Sequence, residues 1–174
     1  MSQPSGAQPI PEAEDESLRK WREAILRNAD APEANPKDDP RRVIIKEFRV
    51  IVTNGPTYTF DLTTPQGLEK AKSEPYILKE GCTFHYELKF CVHHELAIGL
   101  KMRVKSRKMI GSNEEVFDIG SYPQSPEDLT KVMIDCEVPV GFMSRGKYSV
   151  TNTIENNNGE AVFQFDSKFE IVKA

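Results

Sequence analysis

Between residues 82 and 92 the side chains alternate without a break. Cys82, Phe84, Tyr86, Leu88, Phe90 and Val92 fall on one side, and Thr83, His85, Glu87, Lys89 and Cys91 on the other. On a helix the same apolar residues would spread around the whole circumference. On a strand they make one face for a core and one for water, the signature of half-buried antiparallel sheet. The period recurs downstream in Leu100, Met102 and Val104, in Phe117 and Ile119, and in Val132, Ile134, Cys136 and Val138. Upstream, Ile44, Phe48, Val50 and Val52 are expected to share a face, with Lys46 interrupting it. The turn Asn54-Gly55-Pro56 then leads to Tyr58, Phe60 and Leu62. A helical turn is expected at Leu68 to Lys72, ended by Pro75. A final hairpin should turn at Asn156-Asn157-Asn158-Gly159, between Tyr148, Val150 and Ile154 and a return arm carrying Phe163, Phe165, Phe169 and Ile171. Short strands at this spacing, with turns between them and almost no helix, predict an all-β domain over 43–174, an immunoglobulin-like β-sandwich.

Residues 1–42 read differently. Pro4, Pro9, Pro11, Pro32, Pro36 and Pro40 stand among acids, with few large apolar residues. Such a segment buries too little surface to offset its ordering entropy and is expected to be a flexible arm. Its exception is DESLRKWREAILRN (15–28), where Leu18, Trp21, Ile25 and Leu26 fall at i, i+3, i+7 and i+8, one stripe of a helix. Asp15 and Ser17 are N-cap candidates, and Arg22 and Arg27 suit the later turns. A helix of about 14 residues is marginal in water alone, so Trp21 and its stripe need a covering surface. That surface is either the chain's own domain or a partner; the Pro-rich linker over 29–42 favours a partner.

Bulk properties narrow the function. The chain of 174 residues carries a formal net charge of −4, which argues against a general nucleic-acid binder. No apolar run reaches the roughly 20 residues that span a bilayer, and the N-terminus lacks the basic and apolar regions of a signal peptide. A cytosolic location is therefore expected. Cys82, Cys91 and Cys136 are widely spaced and odd in number, which predicts neither a disulfide framework nor a zinc knuckle. Cys91, His93 and His85 fall on one outer strand face, but no second cluster completes a metal site, and an outward face gives a thiol no electropositive cleft. Without a phosphate loop, a nucleophile elbow or a paired catalytic constellation, an enzyme is not expected. The basic stretch KMRVKSRK (101–108) reads as a charged outer face or as a contact for acidic headgroups. The inner face is unusual. Phe84, Tyr86, Phe90, Met102, Phe117, Met133, Met143, Tyr148, Phe163 and Phe165 are large and partly flexible, as suits either a well-filled core or a guest.

Several strings have no structural necessity as strings. EDESLRKWREAIL (14–26), DLT (61–63), ILKEG (77–81), the HEL and GLK of 90–101, GSY (120–122), GFMSRGKYSV (141–150) and the closing F-IVK (169–173) occur in order. In these the chain resembles the Rho GDP-dissociation inhibitors, from about residue 14 to its end. The resemblance implies a cytosolic, non-enzymatic binder of prenylated Rho-family small GTPases. It implies no cofactor, and only transient membrane contact. A pocket between the sheets would hold the geranylgeranyl group, while the arm folds on the GTPase switch regions and blocks nucleotide exchange.

Carried across by position, the resemblance places Asp15, Ser17, Leu18, Trp21, Ile25 and Leu26 at the GTPase. It places Tyr76, Leu78, Phe84, Leu96, Leu100, Phe117, Met143, Val150, Phe163 and Phe165 around the prenyl chain. Gly99, between Leu96 and Leu100, suits a bend or a close approach. The departures carry expectations too. The arm before Glu14 is shorter than in the family, and Asn156-Asn157-Asn158 replaces an acidic run. Pro75 and Lys147 stand where some relatives carry regulatory serines. Phe165 and Ser167 replace tryptophans, which predicts a roomier pocket that takes farnesyl as well as geranylgeranyl. The alternative is a general prenyl- or acyl-chain carrier that ignores the switch regions.

Overall fold

The computed structural model describes residues 42–174. The arm, with its expected helix over 15–28 and the candidate contacts Asp15, Ser17, Leu18, Trp21, Ile25 and Leu26, lies outside the described residues.

Two sheets form the sandwich. The first holds, in spatial order, β2 (Thr57–Asp61), β1 (Val43–Val52), β4 (Thr83–Val92) and β7 (Ser125–Val132), with β8 (Cys136–Glu137) paired to the start of β4. The second runs β3 (Tyr76–Lys79), β10 (Ala161–Val172), β9 (Gly146–Glu155), β5 (Ala97–Arg107) and β6 (Ser112–Tyr122). Neighbours are antiparallel except β3, which lies parallel to β10. The inner faces meet in one core. Phe48, Tyr86, Leu88 and Phe90 come from the first sheet, and Leu100, Met102, Ile154 and Phe165 from the second. Rings interlock across the gap: Phe48 lies 5.1 Å from Phe165 and Tyr86 lies 5.5 Å from Phe117, both edge-on. Edge-on aromatic pairs of this kind add about 0.5–1.5 kcal/mol beyond their burial.

The expected helical turn is a full helix, α1 (Pro65–Ser73), which carries the chain from the first sheet to the second. Its start is written locally. Pro65 opens it, and the Thr64 hydroxyl accepts the Gly67 N–H at 3.0 Å. Its end comes at Glu74, whose N–H donates to the Lys70 carbonyl at 2.9 Å, just before Pro75. Glycine is required at position 67, because a Cβ there would stand 1.7 Å from the Asp61 carbonyl oxygen.

Two expected strand faces are corrected by bulges. In β1, Ile45 pairs with Phe90 but Glu47 pairs with Lys89, so Lys46 is an extra residue. Parity flips there. Ile45 and Phe48 face the core, whereas Ile44 pairs with Cys91 on the other face. Between β7 and β8 the same happens. Val132 pairs with Glu87 and Cys136 with Phe84, four steps on one side against three on the other. Val132 and Ile134 are therefore exposed and Met133 is buried in their place, while Val138, beyond the bulge, is buried as expected. Alternation counted from sequence cannot register an inserted residue, because only the register against the partner strand shows it.

The last hairpin turns where expected. The Asn156 side-chain oxygen accepts the N–H groups of Asn158 and Glu160 at 2.9 and 3.0 Å, and Gly159 takes φ +80°. Gly99 also behaves as its position suggested. β5 bulges around it, its φ is +60°, and a Cβ would lie 2.8 Å from that of Asn157. Among the described residues no helix is long and apolar enough to cross a membrane.

Candidate functional site

A cavity of about 680 Å³ lies between the sheets, open where β6, the edge of the second sheet, faces residues 134–139 of the first. Phe84 and Tyr86 of β4 form one wall and Val104, Ser106 and Phe117 the other; Leu78, Tyr148, Phe169 and Ile171 close the end. Polar groups, among them Asn113, Glu115, Asp135 and Glu137, ring the mouth.

The register explains the space. Inward positions on β5 read Leu100, Met102, Val104, Ser106, and on β10 Phe165, Ser167, Phe169. Ser106 and Ser167 both pair with Val150 of β9, so one row across three strands is small at every position. The row above pairs Phe169 with Tyr148, and the row below carries Phe165, Asn152 and Val104. Of this row Ser106 lines the cavity, and its short side chain among Phe84, Tyr86, Phe117 and Tyr148 leaves a void that those neighbours do not fill.

Polar atoms at the back of this region bond among themselves. The Tyr76 and Tyr86 hydroxyls are 3.2 Å apart, and burial pushes both pKa values well above the ordinary phenol range, so both stay neutral. Asn152 donates from Nδ2 to the Ser167 hydroxyl at 2.9 Å and to the Phe165 carbonyl at 3.3 Å. Asn152 Oδ1 is buried with no partner among the described residues. With the hydroxyls engaged, Tyr86 presents its ring to the cavity as an apolar surface.

The rest of the site offers no reactive group. Burial, helped by the carboxylates of Glu115 and Asp135, pushes the Cys136 thiol up to about 11, so it is protonated near neutrality. Cys91 and His93 touch at 3.2 Å, and His85 sits 3.4 Å from Glu87 and 3.5 Å from Asp135, on the outer side of the sheet. No group of three or more His, Cys, Asp or Glu that could hold a metal occurs among the described residues. Outside the lining, Arg145 Nε donates to Glu80 Oε1 at 2.5 Å, and the Gly141 N–H donates to the same oxygen at 3.1 Å. Those bonds hold the Glu80 carboxyl below its usual range, Arg145 contributing most.

Of the residues named from sequence, Leu78, Phe84 and Phe117 line the cavity. Tyr76, Val150 and Phe165 are core residues at its back, and Phe163 is half-buried beside Phe165, with ring centres 5.9 Å apart. Leu96 and Leu100 lie at a separate depression bounded by Asn156, Asn157 and Asn158. Met143 is exposed, in the short 3-10 turn Phe142–Ser144. Sequence reasoning left out Ser106, Val104, Phe169 and Ile171. The available signal was a hydroxyl at an inward strand position, at Ser106 and again at Ser167, where a tight core would place a branched aliphatic.

The family model described as RHO protein GDP dissociation inhibitor matches residues 7–174. The chain belongs to the Rho GDP-dissociation inhibitor family. Among relatives, the putative rho GDP-dissociation inhibitor 1 of Dictyostelium discoideum is 29% identical over 92% of this chain and 82% of its own length. The Rho GDP-dissociation inhibitor of Saccharomyces cerevisiae is 30% identical over 93% of this chain and 83% of its own. The human Rho GDP-dissociation inhibitor 1 is 27% identical over 83% and 70%. As a Rho GDP-dissociation inhibitor the chain falls among regulatory inhibitors rather than enzymes. The match takes in the arm region as well as the sandwich, which favours this reading over a general lipid carrier.

Proposed function

We propose that the chain holds prenylated Rho-family GTPases in soluble form, sheltering the prenyl group in the cavity between the sheets while the arm engages the switch regions and slows nucleotide exchange. The observation that carries the reading is the cavity itself, of about 680 Å³ and walled by Phe84, Tyr86, Val104 and Phe117. A prenyl chain gains about 0.8 kcal/mol per buried CH₂, so it leaves a bilayer only for an equally apolar site. With such a site available, transfer is nearly balanced and the protein contact decides the direction. Asp15, Ser17, Leu18, Trp21, Ile25 and Leu26 supply that contact in this reading. Ordering otherwise mobile switch segments would slow nucleotide release.

Which prenyl chain fits follows from the small row. Ser106 leaves volume in the cavity lining where bulk would shorten the pocket, consistent with both farnesyl and geranylgeranyl as guests. The test combines titration of fluorescent farnesyl- and geranylgeranyl-cysteine probes with extraction of a prenylated Rho-type GTPase from vesicles. Full-length protein is compared with Leu18→Ala/Trp21→Ala. Wild type binds both probes and moves the GTPase to the supernatant, while the arm variant binds the probes equally and extracts poorly. Equal extraction by the two proteins would return the chain to the lipid-carrier reading, and failure to bind either probe would remove the cavity from the proposal.

A further inference from the structure

Five large apolar side chains stand in solvent beside the cavity mouth. Met109 is 100% exposed, Ile110 89%, Val140 74%, Phe142 74% and Met143 76%. They come from two segments, the tip of the β5–β6 hairpin and the stretch after β8. Lys108 ties the two together, its Nζ donating to the Met143 carbonyl at 2.7 Å while lying 5.4 Å from the centre of the Tyr148 ring, a cavity wall. Pro139, which also lines the cavity, directly precedes Val140. The apolar side chains and the mouth thus form one continuous surface.

Charge says what that surface meets. The chain carries net −4, yet residues 98–113 and 138–154 contain no acid. Arg145 is engaged with Glu80, but Lys105, Arg107 and Lys147 are exposed on the outer face of the second sheet at this end. The acids at this end are Glu115, Asp135 and Glu137 in the cavity lining, and Glu114 and Glu170 across the sheet from Lys105 and Lys147; Arg107 pairs with Ser112 and Ser149 and faces no acid across the ladder. Exposed Met, Ile and Phe flanked by Lys and Arg suit an anionic bilayer, where the apolar groups enter the acyl boundary and the cations stay with headgroups. A fully exposed apolar hairpin tip is otherwise a liability to a soluble chain.

We propose that Met109, Ile110, Phe142 and Met143, with Lys105, Arg107 and Lys147 beside them, form a crown that dips into anionic membranes and sets the cavity mouth against the lipid. The benefit of that placement rests on the cavity's being the prenyl site, but the membrane contact itself is measured separately. Shortening the aqueous gap between bilayer and pocket speeds transfer, because fewer carbons of the chain meet water on the way.

The experiment uses full-length protein and the variant Met109→Asp/Ile110→Asp, altered only at exposed positions. Binding is measured on vesicles of phosphatidylcholine alone and with about 30 mol% phosphatidylserine, which supplies the anionic surface. Alongside run the rate of GTPase extraction, the affinity for a geranylgeranyl-cysteine probe in solution, and the affinity for unprenylated GTPase. The expected result is vesicle binding and extraction each reduced about fivefold or more, with probe and unprenylated GTPase affinities within about twofold of wild type. Wild type should also prefer the anionic vesicles by about fivefold or more. Unchanged vesicle binding overturns the proposal, as does equal binding to both vesicle types. Loss of probe affinity in the variant overturns it by making the tip a pocket wall, and loss of affinity for unprenylated GTPase does so by making it a protein contact. If wild type binds no probe, the cavity reading falls while the vesicle comparison still decides the crown.

Discussion

Replacing Ser106 by Phe tests whether the small row is what makes room for a lipid. Ser106 lines the cavity, is 9% exposed, and pairs with Val150 across from Ser167. Its hydroxyl makes one long contact, 3.5 Å to the Asn113 carbonyl, so its loss removes little. A phenyl ring at that position would occupy the void and displace a guest by roughly four chain carbons. At about 0.8 kcal/mol per buried CH₂ the guest loses about 3 kcal/mol. Affinity for a geranylgeranyl probe should then fall about 100-fold or more. The empty protein should respond oppositely, because ring atoms filling a void gain contacts that its lining lacked. Thermal unfolding of Ser106→Phe without ligand should therefore come at or above the wild-type temperature, while fluorescence titration shows the weakened probe. A variant that is stable and binds the probe with wild-type affinity would refute the reasoning, since the chain would then not occupy this cavity. A fall in both quantities would mean that the ring does not fit, and the space is not where the walls place it.

Other outcomes follow from particular contacts. Gly67→Ala forces a methyl to within 1.7 Å of the Asp61 carbonyl oxygen, and the fold should lose about 1–3 kcal/mol or more, read as a lower midpoint in denaturant. Glu80 is held below its usual pKa by Arg145, so its contribution is present above the ordinary carboxylate range and is lost as pH falls through the depressed value. Melting temperatures of wild type and Glu80→Gln should differ near neutrality and converge in acid; a constant gap at every pH would reject the pairing. The Cys136 thiol, at about 11, should alkylate at pH 8 about 100-fold more slowly than an ordinary thiol, and a bound prenyl chain should slow it further. Mass-spectrometric labelling of all three cysteines checks this by site.

Much of the fold is legible in one dimension because strand faces are set by local parity. The run from Cys82 to Val92 predicts β4 with its inner and outer faces, and Asn156 to Gly159 predicts the final turn, since a side-chain cap and a glycine conformation need only neighbours. The family strings, likewise local, carried the identification. The cavity was only partly visible. Leu78, Phe84 and Phe117 could be named because the family resemblance placed them at the pocket by position. The space they enclose depends on what stands opposite, and Ser106 meets Ser167 only through Val150, residues from three strands far apart in the chain. The same separation hid the faces of Ile44, Val132 and Ile134. One inserted residue in each strand reverses parity, and only the partner strand's hydrogen bonds show which residue is extra. Sequence by itself therefore determined the class, the family and most inward-facing side chains, because each rests on short-range pattern. Tertiary structure alone decided where the void lies and that Met109 and Phe142 stand beside its mouth, because emptiness and exposure belong to the packing of distant segments against each other.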